Sequence, residues 1–398
     1  MINCKPLKKC LCCGSENLTT VLNLDDQPLA NSYLTNYGDD EEFFPLALNY
    51  CQDCTHLQLT HAVNPDLLFK HYLYVSGTTQ TLKRYFDEFV WIVYRTFKEK
   101  FTMKVLDIAC NDGSQLNSFK ARGHETYGID PAENLYELSS KNHTIVCDYL
   151  SENSIDRLGC DKFDVIIAQN VFAHNTYPKE FLEICKNHLS DGGRIFIQTS
   201  QADMVKYGQF DTVYHEHISF FNVHSMNTLV RSAGLFLMDV QKTSIHGTSY
   251  VFIISKNAEE DNSESLLEKE DRQTLAVVNQ FSQNAKLSVN DLIGRIKALR
   301  PTHMIIGYGA AAKGNTVLNF GSIWLDCIVD DNPLKQGLYT PGMQIPIVSL
   351  DAAIKLSGDK PIAWIPLSWN FFNEIKANIQ KVRDNAEDTF IQLNFTKL

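Results

Sequence analysis

The chain is short of several things, and each shortage excludes a class of protein. No apolar run approaches the ~20 residues needed to cross a bilayer, so a membrane span is not expected. Basic residues are thinly spread: 36 Lys and Arg against 47 Asp and Glu leave a net charge of −11. Nucleic-acid and anionic-membrane binders rest on concentrated positive charge, so neither partner is expected. The opening MINCKPLKKC has basic residues but no apolar stretch after them and does not read as a signal peptide. Paired cysteines are also scarce. Eleven is an odd count, and Cys110, Cys147, Cys160, Cys185 and Cys327 stand singly, mostly in or beside apolar segments. That usage fits reduced cytoplasmic thiols plus one metal cluster better than a disulfide framework.

What is present is an ordinary globular composition, 44% hydrophobic and 21% charged over 398 residues, more than one core would hold. The first 60 or so residues carry cysteines, turns and short β-like runs such as HLQL. From about 65 to 100, Leu82, Tyr85, Phe86, Phe89, Val90 and Ile92 recur at helical spacing. From Lys104 strands and helices alternate (KVLDIAC, SQLNSFKARG, ETYGID, FDVIIAQN, RIFIQTS), which predicts a parallel sheet covered by helices. MDVQKT and SYVFIIS read as an antiparallel pair. NAEEDNSESLLEKEDR reads as a solvated loop opening a long helix that Pro301 stops. A second βα alternation follows in HMIIGYGAAAKG, LDCIVDDNP and PIAWIPLS. The expected units are therefore 1–65, 66–256 and 257–398, an α/β chain with a small N-terminal metal domain and two Rossmann-like units.

Cys10 and Cys13 form one C-x2-C pair and Cys51 and Cys54 another, across residues 14–50. Structural zinc takes four soft ligands in a tetrahedron, and two such knuckles supply them. Cys12 competes with Cys13, and His56 is an alternative ligand. Four thiolates leave no open position, so the Zn2+ expected here is structural and not catalytic.

The first strand of the alternating region runs through Asp107 into Ala109-Cys110-Asn111-Asp112-Gly113 and then a helix. A tight turn at that point brings backbone N–H groups close to a ligand. The next strand ends at Asp130 and Pro131, where an acid can accept both hydroxyls of a ribose. Asp148 and Asn170 end the following segments. An acidic turn suits S-adenosylmethionine (SAM), which carries a sulfonium and no phosphate, better than a dinucleotide. Asp148 as a helix cap and Asn170 as a turn residue are the bland alternatives.

The densest chemistry lies in FDTVYHEHISFF, where Tyr214, His215, Glu216 and His217 are consecutive between apolar residues. Such a run is costly to bury without a function. Alternate residues of an extended or turning segment face the same way, and His215 and His217 are not expected to serve the same role; metal binding by the two is an alternative, but no third ligand is apparent nearby.

YHEHISFF, NVFAHN, GYGAAAKGN and DDNPLKQGLYTPG with the following IPI resemble the nucleotide-sugar C-methyltransferases of deoxysugar biosynthesis. The resemblance runs from Cys10 to Trp369-Asn370-Phe371, and N-D-G in place of glycines is that family's own form of the SAM turn. It implies a zinc domain, a class I SAM methyltransferase domain and a C-terminal Rossmann-like unit that helps hold a nucleotide sugar. The implied reaction methylates C3 of a 4-keto hexose carried on a nucleoside diphosphate. By the same resemblance His217 is the base and Tyr214 and Glu216 orient it or stabilise an enolate oxygen. His174 of NVFAHN lies near the sugar, and Tyr72 and Tyr74 line the cleft.

In the third unit Gly307 and Gly309 permit close backbone approach, and Lys313 offers charge to a diphosphate. An NAD site with Asp330 as its acid is the rival, making the chain an oxidoreductase or epimerase; Lys313 near the third glycine position counts against it. Packing alone is the bland alternative. The family commonly has H-G-G-S-L-R where this chain has His246-Gly247-Thr248-Ser249-Tyr250-Val251. His246 and Ser249 are retained toward the substrate, while the missing arginine bears on how the diphosphate or sugar is held. An O- or N-methyltransferase would need a base as well. The sequence says little about oligomeric state, and a monomer is one expectation.

Overall fold

Seven strands between residues 104 and 255 form the central sheet of the protein, here described from a computed structural model covering residues 3–69, 75–78, 80–98, 102–245 and 247–395. Across the sheet the strands run Phe236–Thr243, Ser249–Ser255, Leu189–Thr199, Phe163–Gln169, Lys104–Ile108, Glu125–Ile129 and Thr144–Val146. All neighbours are parallel except Ser249–Ser255, which is antiparallel to both strands it pairs with. Val165, Ile166, Ile167 and Ala168 are all fully buried, as a parallel strand covered on both faces requires. The helical stretch expected over 65–100 divides into Pro65–Phe69, a 3-10 turn at Ser76–Thr78 and the helix Gln80–Tyr94. That last helix lays Tyr85, Phe86, Phe89 and Val90 on the sheet in one core with Val165, Ile167 and Phe196. The strand order reverses between Lys104–Ile108 and Phe163–Gln169, which opens a crevice at their carboxyl ends.

The N-terminal strands Leu18–Pro28, Phe43–Cys51 and Leu57–Leu59 form an antiparallel sheet, and its fourth strand comes from far along the chain. Ser219–Phe220, two residues past His217, pairs with Leu57–Leu59. The YHEH segment is thereby tied to the N-terminal sheet.

Five parallel strands make the C-terminal sheet, in the order Ile347–Val348, Cys327–Val329, Met304–Tyr308, Ile362–Pro366 and Thr389–Phe390. The long helix Leu275–Leu299 leads into it, its first turn capped by the Thr274 hydroxyl accepting from the Val277 amide. Its buried face (Val278, Phe281, Ala285, Val289, Leu292, Ile296) joins one core with Leu22 and Leu48 of the N-terminal sheet, Phe210 and Val213, and Ile305 and Leu325. The three sequence regions thus share an interior. No helix among the described residues is long and apolar enough to cross a membrane.

Candidate active site

A cavity of about 410 Å³ fills the crevice at the reversal point, within the range usual for a small-molecule site. Asp107, Ala109, Asn111, Asp130, Pro131, Asp148 and Asn170 all line it. Its wall holds carboxylates at Asp107, Asp130, Asp148 and Glu180, and among the described residues neither Lys nor Arg lines it. That charge suits a cationic nucleoside and opposes a pyrophosphate. Burial pushes the pKa of Asp107 well up, and neighbouring Asp130 and Asp112 add to the rise; a ligand cation would oppose that strain. The Asn170 Oδ1 is shielded from solvent with no partner, a polar atom left for a ligand to satisfy. These residues fit SAM: acids for its ribose and charged groups, backbone and Asn170 for its polar edges, and Phe69, Phe86 and Ile129 for apolar surface.

The local backbone explains how a turn without G-x-G-x-G works. Ala109 and Asn111 both have positive φ, at 60° and 52°, a conformation usually left to glycine. The Asn111 Oδ1 accepts from the Ser76 amide and the Asp112 Oδ2 from the Gly77 amide, each at 2.9 Å. Asn111, at a glycine position, and its neighbour Asp112 therefore grip the 3-10 turn beside the cavity. Two expected cofactor contacts, Asp112 and Gly113, are not among the residues that line the cavity. Asp112 is committed to the amides of Gly77 and Ser114, and Gly113 at φ 79° packs against His143, where a Cβ would come within 2.9 Å of the ring.

Tyr85, Gln169, Tyr149 and Gln198 also line the cavity and were not legible in the sequence. The Tyr85 hydroxyl donates to Gln198 Oε1, which also accepts from Gln169 Nε2. Tyr85 falls on the apolar stripe of its helix, so periodicity reads it as core.

From the cavity wall a column of rings leads to the YHEH segment. Phe69 stacks on His174 at 5.4 Å, His174 lies 5.2 Å from His217, and Tyr214 lies 4.1 Å from His217, all between ring centroids. The His217 Nδ1 is 2.7 Å from the Thr212 carbonyl, which can only accept, so Nδ1 carries the proton. Nε2 then carries the lone pair, and the Tyr214 hydroxyl donates to it at 3.0 Å. Burial pushes the His174 pKa down to about 4, keeping that ring neutral, and its Nε2 has no hydrogen-bond partner.

The other two members of the segment face away. The Glu216 carboxylate accepts at 2.7 Å from Nδ2 of Asn31, in the loop that follows the strand Leu18–Pro28. Burial pushes its pKa up to about 7, against the Asn31 bond. His215 donates from Nε2 to the Phe44 carbonyl and sits edge-on to the Phe44 ring. A turn, not strand alternation, accounts for this: the His217 amide donates to the Tyr214 carbonyl at 2.9 Å, so Tyr214 and His217 meet at the ends of the turn while His215 and Glu216 at its tip reach Phe44 and Asn31.

In the third unit the close-approach reading of the glycines is corrected. A Cβ on Gly307 would lie 3.0 Å from Ile328, Leu325 and Leu367, so Gly307 serves packing. Gly309, at φ 90°, gives room to Ser368. The adjacent turn is filled by the chain itself: the Ala310 carbonyl accepts from the Tyr33 hydroxyl at 2.6 Å and the Lys335 amine at 2.7 Å. Asp330 is spent on the amides of Ala310 and Asn332, which leaves the NAD reading little room. Lys313 projects elsewhere, its amine over the Trp369 ring at 5.3 Å. Ser249 is buried and donates to the Ile245 carbonyl, so it shapes its loop. Tyr72, Tyr74 and His246 lie outside the described residues.

The four thiols Cys10, Cys13, Cys51 and Cys54 converge, with all sulfurs within 4.8 Å of one another. Cys10 and Cys54 are 3.5 Å apart, and Cys13 and Cys51 are 3.6 Å apart. A tetrahedron with Zn–S of about 2.3 Å has edges of about 3.8 Å, so the set fits zinc. His56 instead meets the Ser219 hydroxyl at 3.2 Å.

Comparison with known proteins matches three family models in succession. They are a putative zinc binding domain over residues 10–69, a methyltransferase domain over 81–239 and a C-methyltransferase C-terminal domain over 244–393. The C-methyltransferase NovU of Streptomyces niveus is 28% identical over 403 residues, covering 96% of this chain and 94% of its own. A ubiquinone biosynthesis O-methyltransferase of Glaesserella parasuis is 32% identical over 110 residues, covering 25% of this chain and 46% of its own. Among solved structures, an S-adenosylmethionine-dependent methyltransferase of Clostridium acetobutylicum is 12% identical with a TM-score of 0.35, covering 44% of this chain and 91% of that one. The plantazolicin methyltransferase BpumL is 16% identical with a TM-score of 0.36, covering 45% and 87%.

Proposed function

The chain belongs to the C-methyltransferases, SAM-dependent enzymes with a zinc-binding N-terminal unit, and we propose that it methylates C3 of a nucleotide-linked 4-keto hexose through an enolate, with His217 as the base. The observation that carries this reading is the ring column joining the donor cavity to His217 through His174.

A proton on C3, beside the C4 carbonyl, is acidic enough for a positioned base. The Nδ1–H bond to the Thr212 carbonyl leaves the lone pair on His217 Nε2, and the Tyr214 hydroxyl rests on it. A sugar carbonyl that draws the hydroxyl to its own oxygen frees Nε2 for the C3 proton. Tyr214 then stabilises the enolate oxygen as charge develops on it. SAM, when bound, supplies an electrophilic methyl on a sulfonium. The carbon pair left by proton removal forms the C3–CH3 bond as the S–CH3 bond breaks. His174, neutral and buried beside His217, keeps that region dry and shapes the sugar end of the cavity. The substrate assignment is supported by the family resemblance.

Incubation with a 4-keto sugar nucleotide in D2O tests this reading. Wild type should exchange the C3 proton and, with SAM, give a C-methylated product by NMR; His217→Asn should do neither. Methylation at oxygen, or exchange at the wild-type rate in His217→Asn, would overturn it.

A further inference from the structure

The segment before Tyr214 contains a buried charge that the mechanism above leaves unused. Asp211 is 0% exposed and lies in the middle of the 3-10 turn Phe210–Thr212. Its Oδ2 accepts from Trp369 Nε1 at 2.7 Å, a contact between the turn and the C-terminal unit. An ionised carboxylate in such a place costs several kcal/mol unless it is paired. Burial raises its pKa, while the Lys313 charge and the Trp369 N–H oppose the rise. Lys313 itself lies over the Trp369 ring. The same turn is held on its other side by aromatic contacts: Phe210 meets Phe320 at 5.9 Å and Phe395 at 6.0 Å, and Phe395 meets Trp369 at 5.2 Å.

What the turn presents is the Thr212 carbonyl. It accepts the His217 Nδ1–H, and the Thr212 hydroxyl lies 3.4 Å from the same nitrogen. A hydrogen bond at one imidazole nitrogen decides which nitrogen keeps the lone pair and raises the basicity of the ring. The direction of that carbonyl depends on the turn, and the turn depends on Asp211 and Trp369.

We propose that Asp211 and Trp369 are positioning residues that set the tautomer and ring plane of His217 from across the boundary with the C-terminal unit. The proposal rests on the reading of His217 as base. It gives the C-terminal unit a part in catalysis besides holding substrate, and it assigns a role to the tryptophan of the WNF motif.

Trp369→Phe removes the N–H donor and keeps a ring; Asp211→Asn keeps the shape and removes the charge. Each should lower kcat roughly ten-fold or more, since small misplacement of a reacting group is costly. KM should change little. Without a firm Nδ1–H···O bond the ring is less basic, so the acid limb of the kcat profile should move to lower pH by about half a unit. NMR of 15N-histidine-labelled protein, with the His217 signals assigned by their loss in His217→Asn, should show the Nδ1–H tautomer in wild type and a mixture in both variants. If Trp369→Phe does not fold, Asp211→Asn and the NMR measurement carry the test. Wild-type kcat and pH profile in these variants, with His217→Asn inactive, would overturn this proposal alone. A fall in kcat with neither the pH shift nor the tautomer change would overturn it too. An active His217→Asn would instead remove the base assignment beneath it.

Discussion

Asp130 and Asp330 end the second strands of two different sheets and make the same pair of backbone bonds. Asp130 accepts from the Asn111 amide at 2.8 Å and the Ala132 amide at 2.8 Å. Asp330 accepts from the Ala310 amide at 2.8 Å and the Asn332 amide at 2.9 Å. Each acid therefore braces the turn after the first strand of its own Rossmann-like unit. Only Asp130 also faces the open cavity, because Tyr33 and Lys335 fill the equivalent place beside Asp330.

This parallel separates bracing from binding. Asp130→Asn should weaken S-adenosylhomocysteine binding ~10-fold or more, the worth of a charge-assisted hydrogen bond of about 1.5–3 kcal/mol. Asp330→Asn should lower Tm by several degrees while leaving that Kd as in wild type. Calorimetric titration and thermal melts read both. Equal losses of affinity in the two variants would mean that Asp130 acts through the brace alone.

The zinc site should matter for folding beyond its own knuckles. Leu57–Leu59 lies close after Cys54 and pairs with Ser219–Phe220, close after His217. Structural zinc sites contribute their binding energy to folding. Elemental analysis should find one zinc per chain, and Cys51→Ser or prolonged chelation should lower Tm by roughly 10 °C or more together with activity. An unchanged melt after complete metal loss would rule out this coupling.

Much of this architecture was legible in the sequence, and the parts that were not share a cause. Alternating strand and helix signals predicted both parallel sheets, and the antiparallel pair near residue 250 was legible too. Paired cysteine spacing predicted the thiol cluster. Strand ends pointed to Asp130 and Asn170, since position along a strand is local information. Glu216 reaching Asn31, Tyr33 reaching Ala310 and Trp369 reaching Asp211 are contacts between distant segments, and no local pattern encodes them. Gly307 shows the opposite limit: the motif pointed to close approach by a ligand, but the groups that approach are aliphatic side chains.

Glu216 should make stability pH-dependent in a defined direction. Burial raises its pKa from 4.5 to about 7, so the folded state holds the proton more tightly than the unfolded one. Its favourable contribution is full below pH 4.5 and is lost as pH rises through about 7. Glu216→Gln keeps the acceptor for Asn31 and removes the ionisation. The variant should therefore gain Tm relative to wild type at pH 8, by a few degrees, and show no such gain at pH 4.5. Melts across that interval check the sign, and a gain that grows toward low pH would contradict the burial argument.

Tyr214 is the side chain whose removal best distinguishes a hydrogen bond that merely holds His217 from one that also serves the reaction. Its hydroxyl donates to His217 Nε2, the nitrogen that must take the proton, so it cannot keep that partner during proton removal. If its only role were to hold the ring, Tyr214→Phe would leave the Thr212 bond intact, with little loss in rate. If the hydroxyl transfers to the enolate oxygen, Tyr214→Phe removes a donor made stronger in the transition state. A loss of about 10²-fold in kcat with KM nearly unchanged is then expected. The C3–H exchange in D2O should slow by a similar factor without SAM, because the donor acts on proton removal and not on methyl transfer. Exchange at the wild-type rate combined with slow methylation would instead assign Tyr214 to the second step.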